Sequence, residues 1–131
     1  YDIDDINVSI SGKIDRIDEV DGFLNIIDYK TSRKKEKASK NMQMALYTEA
    51  VISNAFPDIK GNAGQAILHY LRFDDDPISS HKFTSDELEE NKQKIRKIAQ
   101  GIRNGEFETN KNDFICKNCD YKDFLCPAWE E

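Results

Sequence analysis

The dipeptide Asp21-Gly22 is the strongest local constraint in this sequence, because it separates two segments that have the patterns of β-strands. Residues 6–19 alternate apolar and polar side chains, and residues 22–30 contain the apolar run "FLNII". A two-residue type I′ turn requires a positive φ at both central positions, which Asp-Gly accepts more readily than most pairs. The sequence therefore predicts a tight hairpin centred on this dipeptide.

The predicted hairpin brings two carboxylates together. Counting outward from the turn pairs Val20 with Phe23 and then Asp15 with Asp28. Facing side chains of an antiparallel pair lie about 4.5–5.5 Å apart at Cβ, so two like charges destabilise the sheet unless a cation lies between them. Lys30 shares a face with Asp28, because side chains two residues apart in a strand do so. Two carboxylates beside a lysine predict a site for a hard cation, with a solvated polar face as the alternative.

The rest of the sequence predicts two helices and further strands. Thr84 and Glu87 form a capping box that opens the second helix. The pattern as a whole predicts a mixed α/β domain. The predicted elements after the hairpin are a helix over residues 39–56 with Ser39 as its N-cap, a strand over 63–73, a short strand near 78–83 and a helix from Thr84 to about residue 104.

Residues 30–40 hold six basic side chains against a single acid, Glu36, although the whole chain has a net charge of −6. A net negative charge argues against a nucleic-acid partner, yet a local basic patch still attracts phosphates. The segment predicts a phosphate-binding surface, with an ordinary solvated loop as the alternative. Besides Lys30, the basic residues are Arg33, Lys34, Lys35, Lys37 and Lys40.

Three cysteines, Cys116, Cys119 and Cys126, lie within eleven residues in the spacing C-x₂-C-x₆-C. An odd, clustered count without a secretion signal is typical of metal or cluster ligation in a reducing compartment, so we predict a cytoplasmic protein. Zinc completed by an outside ligand and reduced structural thiols are the alternatives. No apolar run approaches the roughly 20 residues that span a bilayer, so no membrane partner is predicted.

Three short motifs follow one another in the order "GKIDR", "DYKT" and "QMALY". They fill every position of the pattern G-x-x-D-R, D-Y-K-(S/T) and Q-x-x-x-Y. In this the chain resembles the RecB/AddB-type branch of the PD-(D/E)XK nucleases, which supplies exonuclease domains to helicase–nucleases of DNA recombination and repair. The resemblance is close over residues 12–47 and continues loosely to the cysteines, where it is similar to the iron–sulfur subgroup.

The resemblance implies an α/β fold with a restriction-endonuclease-like core, in which helices flank a mixed central sheet. Residues 1–104 would form the nuclease core, and residues 105–131 a cysteine-bearing tail of the same domain. Members of the branch also carry upstream helices with a metal-binding histidine, and a fourth cluster cysteine far upstream. This sequence begins at Tyr1 without them. We therefore expect the N-terminal part of the fold to be missing from the chain.

Matched position by position, the resemblance assigns roles to the charged end of the hairpin. Asp15 and Asp28 would be the metal-binding carboxylates, and the backbone carbonyl of Tyr29 a further ligand. Lys30 would orient or activate the attacking water and stabilise charge on the scissile phosphate. Carboxylates, a carbonyl and water are the ligands that Mg²⁺ prefers, and Mn²⁺ is its substitute.

The resemblance also assigns roles outside the hairpin. Gln43 and Tyr47 would line the site from a helix, and their i, i+4 spacing puts them on one helix face, although ordinary helix packing would give the same pattern. The basic segment would contact DNA. The three cysteines would hold a 4Fe–4S cluster together with the missing fourth ligand, because thiolates at such spacing suit that cluster.

The motifs and the resemblance together predict a Mg²⁺-dependent DNA nuclease, the exonuclease domain of a helicase–nuclease or of a recombination and repair protein, with DNA and helicase domains or subunits as partners. The alternative is a catalytically inert nuclease-like fold, stabilised by a metal or cluster, that binds DNA or bridges partner proteins. Loss of Asp15, Asp28 or Lys30 would favour that alternative, and all three are present.

Overall fold

The computed structural model describes residues 2, 3, 6–122 and 125–129. Its chain divides into two compact units, Tyr1–Arg96 and Lys97–Glu131. The secondary-structure elements are, in chain order, strands β1 (Asp2–Ile3), β2 (Val8–Ser9), β3 (Arg16–Val20) and β4 (Phe23–Lys30), a 3₁₀ turn (Ala38–Lys40), helix α1 (Met42–Ile52), strands β5 (Asn62–Tyr70) and β6 (Ile78–His81), helices α2 (Ser85–Asn104) and α3 (Asp113–Cys116), and a 3₁₀ turn (Pro127–Trp129).

A four-stranded mixed sheet forms the centre of the first unit, in the order β3-β4-β5-β6. Strand β4 pairs antiparallel with β3 and parallel with β5, and β6 pairs antiparallel with β5. A parallel pair requires a long crossover connection, and the crossover between β4 and β5 contains α1. The predicted mixed α/β architecture is confirmed.

The predicted hairpin is also confirmed. Asp21 and Gly22 have φ values of 52° and 77°, as a type I′ turn requires, and Val20 lies opposite Phe23. The first strand is shorter than predicted, because the ladder ends at Arg16 and residues 10–15 leave the sheet. Further upstream, β2 pairs with β1 instead of continuing β3.

Helix α1 starts three residues later than predicted. Asn41, not Ser39, is its N-cap: the Asn41 side chain accepts a hydrogen bond from the backbone N–H of Met44. Ser39 lies in the preceding 3₁₀ turn. Asparagine and serine are about equally favoured as N-caps, so the residue types alone did not separate the two positions.

Both the helix and the next strand end earlier than predicted. Asn54 takes a φ of 54°, which is incompatible with a continuing right-handed helix, so α1 stops at Ile52 rather than near residue 56. Strand β5 ends at Tyr70 rather than at residue 73, and the N–H of Phe73 then bonds back to the Tyr70 carbonyl in a turn. The apolar residues beyond each end belong to loops.

The main core lies between one face of the sheet and the crossover. Alternate residues of β4 share a face, so Leu24 and Ile26 enter the core and Asp28 and Lys30 continue the same line toward its edge. The last part of β4 thus places two charged side chains at the edge of the core, on the same face of the sheet as Leu24 and Ile26. The buried core cluster comprises Leu24, Ile26, Ala38, Met44, Val51, Ala66, Leu68 and Tyr70.

The predicted capping box opens α2. The N–H of Thr84 donates to Glu87 Oε2 at 2.8 Å, and the N–H of Glu87 donates to Thr84 Oγ1 at 3.3 Å. The Thr84 N–H, and next the ring of His81, hold the pKa of the Glu87 carboxyl below its ordinary value. The carboxylate thus stabilises the helix start above its ordinary pKa, and the stabilisation is lost as the pH falls through the lowered value.

The second unit contains the cysteines. The side chain of Asn112 caps α3 by accepting hydrogen bonds from the N–H groups of Phe114 and Ile115. Cys116 and Cys126 are half-buried, Cys119 is exposed, and all three are free thiols. Within the described residues, no helix has both the length and the apolar composition that crossing a membrane requires.

Candidate active site

The end of β4 holds a buried carboxylate beside a lysine. Asp28 is only 4% exposed, and Lys30 Nζ lies 2.7 Å from its Oδ2. A buried charge is costly unless it is paired, so the ammonium explains why Asp28 is tolerated there. The contact lacks hydrogen-bond geometry, and Oδ2 accepts no hydrogen bond from any described residue. A metal ion that used this oxygen would therefore compete with the Lys30 ammonium and displace no hydrogen bond of the described residues.

Asp15 lies at the same end of the hairpin, but not as a ladder partner of Asp28. The last pair of the β3–β4 ladder is Arg16 opposite Ile27, and Asp15 follows it outside the strand. Its Oδ2 accepts a hydrogen bond of 3.0 Å from the backbone N–H of Tyr29. The predicted cross-strand pairing is therefore wrong in detail, because the carboxylate satisfies the backbone group that a longer β3 would have paired.

The carbonyl of Tyr29 points toward the Asp15 side of β4. In an extended strand the N–H and C=O of one residue point to the same side, and the Tyr29 N–H binds Asp15. The next residue points the other way, since the Lys30 carbonyl accepts the N–H of Leu71 at 2.9 Å. Asp15 and the Tyr29 carbonyl thus present oxygens on one side of the strand end that also carries Asp28.

Gln43 and Tyr47 join this strand end to α1. Lys30 Nζ donates to Gln43 Oε1 at 2.8 Å, and Gln43 Nε2 donates to Tyr47 Oη at 2.8 Å. An ammonium only donates, so the amide must present its oxygen to Lys30 and its nitrogen to the phenol. Tyr47 Oη then donates to the carbonyl of Lys13 at 2.6 Å. The predicted shared helix face is confirmed, and the network also holds the segment that leads to Asp15.

The other two named positions of the "GKIDR" motif have structural contacts. A Cβ added to Gly12 would lie 3.3 Å from the ring of Tyr47, so the chain passes the ring more closely than a side chain comfortably allows. Arg16 binds Asp18 through two 2.7 Å contacts, and that carboxylate chiefly raises the pKa of the guanidinium. Arg16 also donates to Tyr29 Oη at 3.2 Å.

The predicted DNA-binding residues follow Lys30 in an exposed segment, and one of them, Lys35, contacts the turn before β6. Lys35 Nζ contacts the carbonyl of Asp76 at 2.7 Å and its carboxylate at 3.3 Å, and it lies 5.2 Å from the centre of the Phe73 ring. Lys35 is thereby tied to the protein itself. All five predicted contacts are exposed: Arg33, Lys34, Lys35, Lys37 and Lys40.

No preassembled metal site of three or more His, Cys, Asp or Glu side chains is found among the described residues. Two carboxylates and a carbonyl fall below that count, as Mg²⁺ sites often do, because Mg²⁺ keeps several of its waters. The three cysteines are likewise not gathered into a three-ligand site. His69 lies on β5 with its ring 5.5 Å from that of Tyr29, and His81 binds Glu87.

Sequence reasoning missed two groups that the structure connects to this region. The Lys13 carbonyl is the acceptor for Tyr47, and the Tyr70 hydroxyl bonds to the backbone of Glu36. Tyr70 lies opposite Lys30 in the parallel β4–β5 pair. No turn fixes the register of a parallel pair, so no sequence signal would have placed these two residues side by side.

Curated relatives of the chain are found among bacterial DNA-processing proteins. One subunit of an ATP-dependent helicase/deoxyribonuclease from Clostridium perfringens (strain SM101 / Type A) is 39% identical over 80 residues, covering 54% of this chain and 7% of that protein. The proteins of the same name from strains ATCC 13124 and 13 are 37% identical over the same shares. The chain thus spans 7% of the length of these relatives. No solved structure matches the chain significantly.

The sequence profile of the PD-(D/E)XK nuclease superfamily matches residues 1–127, nearly the whole chain. The resemblance predicted from the three motifs is thereby confirmed, as is the predicted restriction-endonuclease-like fold class of a mixed sheet with helices. The chain belongs to the PD-(D/E)XK nuclease superfamily.

Proposed function

We propose that this chain is the core of a divalent-metal-dependent deoxyribonuclease that works together with helicase domains or subunits. The observation that carries the proposal is the buried carboxylate of Asp28, which is paired with Lys30 at 2.7 Å and has an oxygen that accepts no hydrogen bond from the described residues. Membership of a nuclease superfamily and the names of the Clostridium relatives support the same activity.

The donor set fits Mg²⁺ or Mn²⁺. Asp28 Oδ2 is buried without a hydrogen bond from the described residues, and Asp15 and the Tyr29 carbonyl add oxygen donors on one side of the same strand end. Hard cations take such oxygen ligands and leave their remaining positions to water and substrate phosphate. A divalent cation held by these three residues would lower the pKa of the attacking water and neutralise charge on the phosphate in the transition state.

Lys30 acts beside the carboxylates. Its ammonium is paired with Asp28, and its hydrogen bond to Gln43 keeps it at the strand end. If a bound metal ion shared the charge of Asp28, the same ammonium would be available to a phosphate oxygen or to the attacking water. A fixed cation stabilises a charge that develops in the transition state without further reorganisation.

Gln43 and Tyr47 act through other groups rather than on the substrate. Gln43 fixes the position of Lys30, and Tyr47 fixes both Gln43 and the Lys13 carbonyl. The single line of hydrogen bonds therefore couples the lysine to the segment that carries Asp15. Both residues are positioning residues in this proposal.

Cleavage of DNA by the full-length protein tests the proposal. End-labelled single-stranded DNA without ATP removes any need for unwinding, so the assay reports phosphodiester hydrolysis alone. We expect cleavage with Mg²⁺ or Mn²⁺, none after treatment with EDTA, and recovery when the metal is restored. DNA that is bound but never cleaved under any of these metals would favour the inert DNA-binding alternative, and cleavage that persists in EDTA would contradict the metal-dependent one.

We also propose that Cys116, Cys119 and Cys126 hold a 4Fe–4S cluster in the full-length protein. The three thiols are free and fit thiolate ligation, and a fourth cysteine ligand would come from outside this sequence, which has three cysteines. Anaerobically purified full-length protein is expected to be brown and to contain about four irons for each polypeptide. The variant Cys119→Ser should lose this iron, and stoichiometric zinc without iron in the wild type would contradict the assignment.

A further inference from the structure

The basic loop (residues 31–37) directly follows Lys30 and is tied to the sheet by one buried side chain. The N–H of Glu36 donates to Tyr70 Oη at 2.6 Å, and Tyr70 Oη donates to the carbonyl of Glu36 at 3.0 Å. A single hydroxyl thus satisfies both backbone groups of one loop residue. Tyr70 is 2% exposed and belongs to the core cluster, so the hydroxyl is held rigidly.

Two further residues hold the loop at other points. The side chain of Arg72 donates through Nε to the carbonyl of Thr31, where the loop begins. Asp76 accepts from Lys35 Nζ through its carbonyl at 2.7 Å. Tyr70, Arg72 and Asp76, the loop anchors, lie at the end of β5 or in the turn that follows it. The start, middle and end of the basic loop are therefore each hydrogen-bonded to the end of β5 or to the turn between β5 and β6.

The loop anchors determine which cations are left for a ligand. Lys35 is engaged with Asp76 and lies over the ring of Phe73, so it holds the loop in place. The side chains of Arg33 and Lys37 are exposed and make no hydrogen bond or ion pair with any described residue. A loop that is ordered on folding does not have to be ordered again when it binds, so its cations bind phosphates with a smaller entropic cost.

We infer that Tyr70 is a positioning residue for DNA binding: its hydroxyl, together with Arg72 and Asp76, fixes the basic loop so that Arg33 and Lys37 meet the phosphates next to the Lys30 site. The inference rests on the proposed function and names the part of the chain that holds the DNA strand. It also moves Lys35 from the predicted phosphate contacts to the residues that shape the loop. Phosphate contacts of this kind fix position without reading sequence.

The test begins with Tyr70→Phe in the full-length protein, which removes only the hydroxyl. Loss of the loop hydrogen bonds is expected to weaken binding of single-stranded DNA about three- to tenfold, the effect of one net hydrogen bond or slightly more. The cleavage rate at saturating DNA is expected to stay within about twofold of the wild type, because Asp15, Asp28 and Lys30 are unchanged. An effect on affinity without an effect on the maximal rate is the signature of positioning the strand.

A double-mutant cycle separates this role from general stabilisation. Arg33→Ala combined with Lys37→Ala should weaken binding and reduce its salt dependence, because about two phosphate contacts are lost. In that background Tyr70→Phe is expected to weaken DNA binding little further, since the two cations that the Tyr70 hydroxyl positions are no longer present. The matched control is Thr48→Val, which removes a buried hydroxyl that donates to the Met44 carbonyl within α1 at 2.9 Å. It should leave DNA affinity unchanged.

Three results would overturn the inference. The first is that Tyr70→Phe binds DNA as tightly as the wild type does. The second is that Tyr70→Phe weakens DNA binding just as much when Arg33 and Lys37 are already replaced. The third is that the control Thr48→Val weakens DNA binding as much as Tyr70→Phe does. These results do not depend on catalysis, because they are read from DNA affinity. A wild-type protein that binds DNA but never cleaves it would instead contradict the proposed nuclease function, while the cycle would still report on the loop.

Discussion

Replacing Lys30 with alanine in the full-length protein is expected to lower the rate of DNA cleavage by at least about 10²-fold while leaving DNA affinity nearly unchanged. Removal of one fixed group that stabilises transition-state charge typically costs about 10²–10³-fold in rate. The DNA affinity should change little because several other cations follow Lys30 in the sequence. Each phosphate contact contributes only a small share of the total binding free energy.

Lys30→Ala is expected to lose cleavage activity but not affinity for the metal ion. Lys30 Nζ lies 2.7 Å from the Asp28 oxygen that a divalent cation would use, so the ammonium and the metal compete for it. Lys30→Ala should therefore bind Mg²⁺ or Mn²⁺ at least as tightly as the wild type, because the competing charge is gone. A variant that binds metal and DNA but does not cleave would assign Lys30 to the chemical step.

Two further variants define the contribution of the lysine. Gln43→Ala removes the hydrogen bond that holds Lys30 and keeps the charge, so a smaller loss of rate is expected. Lys60→Ala removes an exposed lysine from the segment before β5 and should behave as the wild type. If Lys30→Ala retained cleavage at a rate close to that of Lys60→Ala, Lys30 would be a surface residue and its proposed role would be wrong.

The parts of the site that the sequence predicted are those governed by local rules. Asp21 and Gly22 impose the turn, the turn imposes the register, and the register carries Asp28 and Lys30 to the same strand end. The i, i+4 spacing likewise put Gln43 and Tyr47 on one helix face, where they are hydrogen-bonded to each other. Each of these steps depends on residues that are close together in the chain.

The parts that could not be predicted depend on contacts between distant segments. Asp15 lies outside the ladder, and the Lys13 carbonyl before it is bound by Tyr47, a residue on a helix far along the chain. Tyr70 reaches the loop after Lys30 only because β4 and β5 pair in parallel in one particular register. Periodicity describes which face a side chain occupies, but it does not say which other strand will lie beside it.

Asp28→Asn is expected to reduce divalent-metal affinity by at least about 100-fold and to abolish cleavage. Loss of a ligand should cost at least as much as loss of the groups that merely orient one, which is typically about 10–100-fold. Asparagine keeps the size of the buried side chain and removes its charge. Lys30 loses its partner but keeps Gln43 and partial access to water, so the fold should tolerate the change.

Hydrogen exchange in the full-length protein measures this metal binding at the site itself, independently of other metal sites. Peptides covering β4 contain the Tyr29 N–H, which is bonded to Asp15. A ligand present at about 100 times its dissociation constant stabilises the state that binds it by about 2.7 kcal/mol, so Mg²⁺ or Mn²⁺ should slow exchange across this strand in the wild type. Asp28→Asn should show no such slowing at the same metal concentration.

Asp21→Asn is the matched control for that experiment. It removes one carboxylate from the turn of the same hairpin, and asparagine readily adopts the positive φ of 52° found there. It should therefore retain the wild-type response to metal. If metal protected β4 from exchange equally in Asp28→Asn and Asp21→Asn, Asp28 would not be a metal ligand. Its pairing with Lys30 would then have only a structural role at the end of β4.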